Sequence, residues 1–252
     1  MRNVFIQKGS DGEILNPNLF AAFEGFSKKN YDIHFFTILP DTTDRDDIVC
    51  GGIGTVRSAW RYMNVALPPE LDYPAELTSY LGRKIWAGTL GEVRKNLFSD
   101  QPLPYFVKPK LTHKLFTGKV LFSPRCLNET TQHDAEVAVW ISEPVQFVSE
   151  YRMFVLRGVI HGCKNYYGSF EVLPDFDLVR AAIAAYTSSP VAYSIDFGVT
   201  QDGRTLLVEV NDGFALGNYG LDPFRYAQFI EARWDEVTGS TYLRDALGQE
   251  GA

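Results

Sequence analysis

The chain has 252 residues, of which 45% are hydrophobic, 14% aromatic and 22% charged. This balance supplies a sizeable core for one large domain or two small ones, and it excludes a mainly disordered chain. A formal net charge of −7 argues against nonspecific grip on a nucleic-acid backbone, and no apolar run of roughly 18 residues is present to form a membrane-spanning helix.

The N-terminal stretch MRNVFIQKGSDGEI turns polar too early for a signal peptide. Cys50, Cys126 and Cys163 are scattered, with the spacing of neither a disulfide framework nor a zinc site. The expectation is a protein of the reducing cytoplasm.

Met1 to Gln7 reads as a strand closed by the turn residues Gly9 to Gly12. Asn16 and Pro17 then open a helix as N-cap and first residue, with Leu19, Phe20, Phe23 and Phe26 expected on one face. Ile33 to Leu39 is a second strand, stopped by Pro40, and Ile48 to Cys50 a third. Gly51, Gly52, Ile53 and Gly54 lead into a helix with Val56, Ala59, Trp60 and Met63 inward. This order implies a small parallel sheet with helices against it. Leu67 to Pro74 reads as irregular, followed by helices over Ala75 to Leu81 and Leu90 to Leu97. The polar, proline-flanked stretch Ser99 to Pro104 marks a boundary between a domain of residues 1–100 and one of residues 101–252.

Beyond that boundary the pattern is of antiparallel hairpins. Strands are expected at Tyr105 to Lys108, Val120 to Phe122 and Val137 to Ile141. Glu150 to Leu156 and Val159 to Tyr167 flank an Arg157-Gly158 turn, and a helix covers Asp177 to Tyr186. Ser194 to Thr200 and Thr205 to Val210 flank Asp202-Gly203, a hairpin signal. Counting outward from a two-residue turn sets Asp196 opposite Glu209, with Asn211 on the same face as Glu209. Like charges opposed in a sheet repel, so a hard divalent cation between them, such as Mg²⁺ with a phosphate, would give the pair a reason. The competing reading is a solvated polar face.

Two further features accompany this hairpin. YFVKPK ends an apolar strand on Lys108, locked by Pro109, which taken alone reads as an ordinary surface lysine and otherwise as a cation placed to meet a phosphate; Lys110, Lys114 and Lys119 follow around Gly118. These lysines read either as a basic loop over phosphates or as a solvated hairpin tip. WISEPVQFVSEYRMFV reads as a strand, a proline-containing link and a new strand with Glu150 and Arg152 on one face; the link reads either as backbone offered to an adenine edge or as a connector between sheet layers.

Together these motifs resemble the ATP-grasp superfamily over residues 103–220. The resemblance implies an α+β ATP-grasp fold behind a small N-terminal α/β domain with a parallel sheet. It implies Lys108 and a second cation on ATP phosphates, adenine at the hinge of Glu143 and Val145, and magnesium on Asp196, Glu209 and Asn211. Lys110, Lys119, Glu150, Arg152 and Lys164 complete the implied nucleotide site, and Lys108 and Arg152 the catalytic pair. EYR and the hairpin to Lys164 look like an element of the ribosomal-protein glutamate ligases. YPAELTSYLGRKI, YFVKP and VEVNDGFALGNYG look more closely like the small bacterial and phage R-two-K clade.

The sequence departs from the superfamily pattern in three places. KLTHKLFTGKV replaces a glycine-rich loop, Asp212 follows Glu-x-Asn where a small residue or proline is usual, and simple register sets Lys164 on the face opposite Arg152 unless the hairpin is bulged.

The glycine turn at Gly51 to Gly54 lacks both P-loop and dinucleotide-fingerprint spacing and reads as a tight turn. Arg57 and Arg61 just after it are either contacts for an acidic second substrate or a solvated helix face. His34, His113, His133 and His161 have no metal-ligand spacing, and Cys163 reads as a packed strand residue.

The activity implied is ATP- and Mg²⁺-dependent ligation of a carboxylate substrate to an amine acceptor through an acyl-phosphate. The acceptor would be a small molecule, a peptide or a protein terminus, with neither nucleic acid nor membrane as partner. The alternatives are a small-molecule kinase on the same fold and a non-catalytic ATP-binding module. The aromatic stretch Tyr219 to Tyr226 reads as acceptor-site lining or as packing for the last helix.

Overall fold

The computed structural model describes residues 1–14, 16–41, 44–100, 103–110, 115–128 and 130–242. Lys114 and His113 lie outside the described residues. The N-terminal layer is a parallel sheet of β1 (Asn3–Gln7), β2 (Asp32–Phe36) and β3 (Ile48–Cys50) in the order β2-β1-β3. Helix α1 (Pro17–Lys28) starts as its sequence dictates. The Asn16 side chain accepts from the N–H of Asn18 and Leu19, and Pro17 occupies the first turn, where no backbone donor is needed. Its buried stripe is Leu19, Ala22 and Phe26; Phe20 is 50% exposed, because it lies about 100° from Leu19 around the helix. Helix α2 (Ile53–Tyr62) buries Val56, Ala59 and Trp60 as expected.

Strand β2 ends at Phe36, earlier than its apolar run, and Ala75–Tyr80 is a 3₁₀ rather than an α-helix. Strand β4 (Ile85–Thr89) was not expected: IWAGT shows no clean alternation, and its strand identity comes from pairing with β7 (Ala138–Ser142). With β5 (Tyr105–Pro109) and β6 (Lys119–Leu121) these form an antiparallel sheet in the order β4-β7-β5-β6. Helix α3 (Leu90–Leu97) opens on a Thr89–Glu92 capping box and packs Leu90, Val93 and Leu97 onto that sheet. Residues 85–97 therefore pack with β5 and β7, and Gln101 and Pro102 of the expected boundary lie outside the described residues.

The third sheet runs β11-β10-β8-β9, from β8 (Phe147–Leu156), β9 (Val159–Gly168), β10 (Ala192–Thr200) and β11 (Thr205–Asp212). Helix α4 (Phe176–Ala185) and the 3₁₀ helix cover one face. The last helix, α5 (Pro223–Thr238), returns to the N-terminal layer, where Trp60, Phe214, Phe229 and Trp234 share its core. Gly25 lets α1 and α5 meet: a Cβ there would stand 2.0 Å from the Pro223 carbonyl oxygen. Buried Arg2, just before β1, also reaches α5, bonding Glu231 (3.2 Å) and Asp235.

Candidate functional site

Glu209 and Asp196 face one another across β10 and β11, as counting from the turn implies, but by a different route. The turn is longer than two residues. Thr200 N–H donates to the Arg204 carbonyl (2.9 Å) and Gly203 sits at φ +82°, so Val199 pairs with Thr205. A bulge then leaves Val208 unpaired and restores the expected opposition. Arg83, inside the YLGRK motif, secures that bulge by donating to the carbonyls of Leu207 (2.8 Å) and Val208 (3.2 Å).

The two carboxylates are each held by a cation of the chain. Arg152 on β8 lies opposite Asp196 in register and grips it with two hydrogen bonds, 2.9 Å to Oδ1 and 2.7 Å to Oδ2. Lys108 on β5 donates to Glu209 Oε2 at 2.7 Å and to Asp72 Oδ1 at 2.7 Å. Asn211 donates to Glu209 Oε1 at 3.0 Å. Opposed carboxylates therefore do not stand uncompensated here. Burial works against the Lys108 ammonium, but Glu209, Tyr73 and Asp72 outweigh it and hold its pKa above the usual lysine range. Burial likewise opposes the Glu209 anion, and Lys108 outweighs it, so that carboxyl lies below the usual range. Burial pushes Asp196 up to about 6 against the pull of Arg152.

Lys108, Arg152, Glu209 and Asn211 line one cavity of about 680 Å³, closed on the β5–β6 side by Phe116, Thr117 and Gly118. Arg57 lines it from α2, bonded to Glu70 at 2.5 Å, whereas Arg61 is exposed and takes no part. Of the aromatic stretch, Tyr219 lines the cavity, stacks on Tyr166 and lies 4.9 Å from the Arg152 guanidinium carbon; Tyr226 is buried and bonds the Leu216 carbonyl.

A shallower cleft of about 370 Å³ lies at the link between β7 and β8, with Val145, Gln146, Phe147 and Glu150 in its wall. Glu150 accepts from Tyr166 Oη at 2.6 Å, and burial raises its pKa. Glu143 is exposed, and its carboxylate accepts from Lys84 N–H (3.0 Å), which ties the link to β4. Lys110 leaves the cavity and stands 4.5 Å over the Trp140 ring, while Lys119 opens β6 opposite Val107. A bulge at His161 sets Lys164 directly opposite Arg152, and hence on the same face of the sheet, which simple register does not give. Asp212, the departure after Glu-x-Asn, is bound by Arg233 of α5 through two bonds of 2.6 Å and fastens the sheet to that helix. At the Gly51–Gly54 turn, Gly52 N–H and Thr55 Oγ1 both donate to Gln7 Oε1, which makes it a structural turn.

Sequence reasoning missed Asp72, Arg83, Tyr73 and Trp140. Tyr73 and Arg83 lie in the YPAELTSYLGRKI stretch and Trp140 opens WISEPV, but Asp72 falls in none of these motifs, and the roles of all four depend on contacts far apart in the chain.

Glu209 and Asn211 suit a magnesium ion, being oxygen donors that open to the cavity, with the Glu209 side chain 29% exposed. Asp196 does not fit as drawn from the sequence: it is 1% exposed and both its oxygens are taken by Arg152. Among the described residues no group of three or more His, Cys, Asp or Glu side chains is arranged to hold a metal ion.

No curated protein matches the sequence. The fold is similar to that of the D-cycloserine synthetase DcsG, with a TM-score of 0.58 and 15% identity over 92% of this chain and 99% of that one. It is also similar to D-alanine–D-alanine ligase from Bacillus anthracis, solved with ATP (TM-score 0.55, 15% identity, 100% of both chains). L-amino acid ligase from Bacillus licheniformis aligns with a TM-score of 0.55 and 12% identity over 93% of this chain and 75% of that one. Residues 80–229, which contain the β4–β7 pair, Lys108, the hinge and the whole Asp196–Glu209 hairpin, match the family model for the ATP-grasp domain, R2K clade family 2, and the chain belongs to that family.

Proposed function

We propose that the protein is an ATP-dependent ligase that joins a carboxylate to an amine. The observation that carries this reading is the convergence of Lys108, Arg152, Glu209 and Asn211 on one cavity. The γ-phosphoryl group of ATP would pass to a carboxylate oxygen, leaving ADP and an acyl-phosphate. An amine would then attack the acyl carbon and expel inorganic phosphate, leaving an amide. Charge builds on the phosphoryl oxygens during transfer, and Lys108 and Arg152 are the cations in reach of that end of the cavity. Val145 and the cleft beside it would take the adenine, with Glu150 at its inner edge. Magnesium, when bound, would supply further positive charge at the phosphates, with Glu209 and Asn211 as the residues to hold it. No protein nucleophile is needed, and Cys163 is half-buried with its thiol pushed up by burial. Arg57 and Glu70, on the α2 side of the same cavity, would meet the second substrate.

The test has two stages. ATP titrated calorimetrically with Mg²⁺ should bind the parent chain and bind Glu209→Gln much more weakly. The parent, incubated with ATP, Mg²⁺ and panels of amino acids and short peptides, should then release ADP and inorganic phosphate together with an amide product. ADP formed with a phosphorylated product and no free phosphate would mean a kinase. No ATP binding would overturn the reading.

A further inference from the structure

The segment Pro69–Asp72 lines the cavity and carries two carboxylates that each grip a cation lining it. Glu70 holds Arg57, and Asp72 holds Lys108. Asp72 meets three elements of the ATP-grasp unit. Its Oδ1 receives Lys108 Nζ at 2.7 Å, its Oδ2 receives Trp140 Nε1 at 2.9 Å, and its backbone carbonyl receives Val210 N–H at 2.9 Å, next to Glu209. Lys108 and Trp140 are themselves a facing pair on β5 and β7. The next residue, Tyr73, places its ring 4.6 Å from the same ammonium. The Lys108 head group is thus enclosed by Asp72, Glu209 and Tyr73, with its side chain 12% exposed. Asp72 achieves this at φ +24°, a conformation that side chains other than glycine rarely adopt and that persists only where surrounding contacts impose it.

A carboxylate needed only to fasten this segment has the indole and the backbone bond for that purpose. Its other oxygen is committed to a cation that a phosphate also requires. We propose that Asp72 is a positioning residue for Lys108. In the nucleotide-free protein it holds the ammonium against Glu209, and an incoming triphosphate gains the ammonium by exchange with Asp72. This rests on the reading of Lys108 as a phosphate-binding residue.

Asp72→Asn removes the charge, keeps an acceptor for the indole, and suits a positive φ. The first readout needs no nucleotide: amine-reactive labelling of Lys108 in the full chain at one fixed pH of about 9, read by mass spectrometry against Lys110 in the same sample. Labelling of Lys108 relative to Lys110 should rise several-fold in Asp72→Asn, because the ammonium then keeps only one of its two carboxylate partners. The second readout is ATP affinity without Mg²⁺, which should tighten about fivefold, because the triphosphate no longer competes with Asp72. A folded Asp72→Asn protein with the parent's labelling ratio overturns the proposal, as does an unchanged or weakened ATP affinity in a variant whose parent binds ATP. A raised labelling ratio in a pair of proteins that both fail to bind ATP supports the ion pair and discards the nucleotide reading instead. Should the Asn variant not fold, Asp72→Gly, which tolerates φ +24° and keeps the backbone bond to Val210, gives the same two readouts.

Discussion

At the residue scale, Lys108 serves two ion pairs at once, and its removal leaves Asp72 and Glu209 facing each other without a cation. The sequence suggests that Phe106 and Val107 carry the packing and that Lys108→Ala should leave the fold intact; the geometry says otherwise. Lys108→Ala should lose nucleotide binding and also about 2–4 kcal/mol of stability, the cost of orphaning partly buried charges. Urea unfolding measures the second effect, and adding Asp72→Asn should recover part of it. Glu209→Gln should likewise lower stability, because Glu209 is paired with Lys108 and does not oppose Asp196 as a bare charge. Asp196 supplies a pH test. Its carboxyl is pushed above the ordinary aspartate value to about 6. A raised value means that folding takes up a proton between the two, so this group's contribution is fully present below the ordinary value and is lost as pH rises through about 6. Asp196→Asn should flatten the stability profile over that window. The slope is the readout, since the absolute level also falls with the loss of the Arg152 bonds; an unaltered slope would refute the assignment.

At the element scale, the β10–β11 hairpin works because two irregularities compensate. The long turn shifts the pairing and the Val208 bulge shifts it back, so Glu209 returns to the face of Asp196. The bulge exposes carbonyls that Arg83 satisfies. Arg83→Ala should cost about 1–3 kcal/mol through the unsatisfied carbonyls, and it should weaken ATP binding although Arg83 does not line the cavity. Hydrogen exchange at β11 would localise the effect, with faster exchange expected near Val208 and little change in β1 to β3. The β8–β9 hairpin obeys the same logic: the bulge at His161 is what carries Lys164 to the face of Arg152.

At the scale of the whole molecule, the chain leaves the N-terminal layer after α2, builds both antiparallel sheets, and returns through α5 to close the first core. Gly25→Val tests that closure. A side chain at this position drives into the Pro223 carbonyl, so α1 and α5 must separate, at a cost of about 1–3 kcal/mol. Thermal unfolding should fall accordingly while tryptophan fluorescence, from Trp60 and Trp234 in that core, shifts to the red. Much of the architecture was legible in the sequence. The Asn16-Pro17 start of α1 and the bounds of α3 come from turn and cap chemistry within a few residues. YFVKP, the hinge and Glu-x-Asn pointed to the proposed nucleotide site because they are short and contiguous, and the opposition of Asp196 and Glu209 came from strand alternation. Local pattern did not reveal β4, whose IWAGT sequence becomes a strand only beside β7. Nor did it reveal which cation each carboxylate holds. Lys108 lies 36 residues from Asp72 and 101 from Glu209, and Arg152 lies 44 from Asp196. Period, capping and turn preference act over a few residues and can be read along the chain. Ion pairing at such separations is set by sheet order, bulges and the path of the segment before Tyr73, and these exist only once the three sheets have packed.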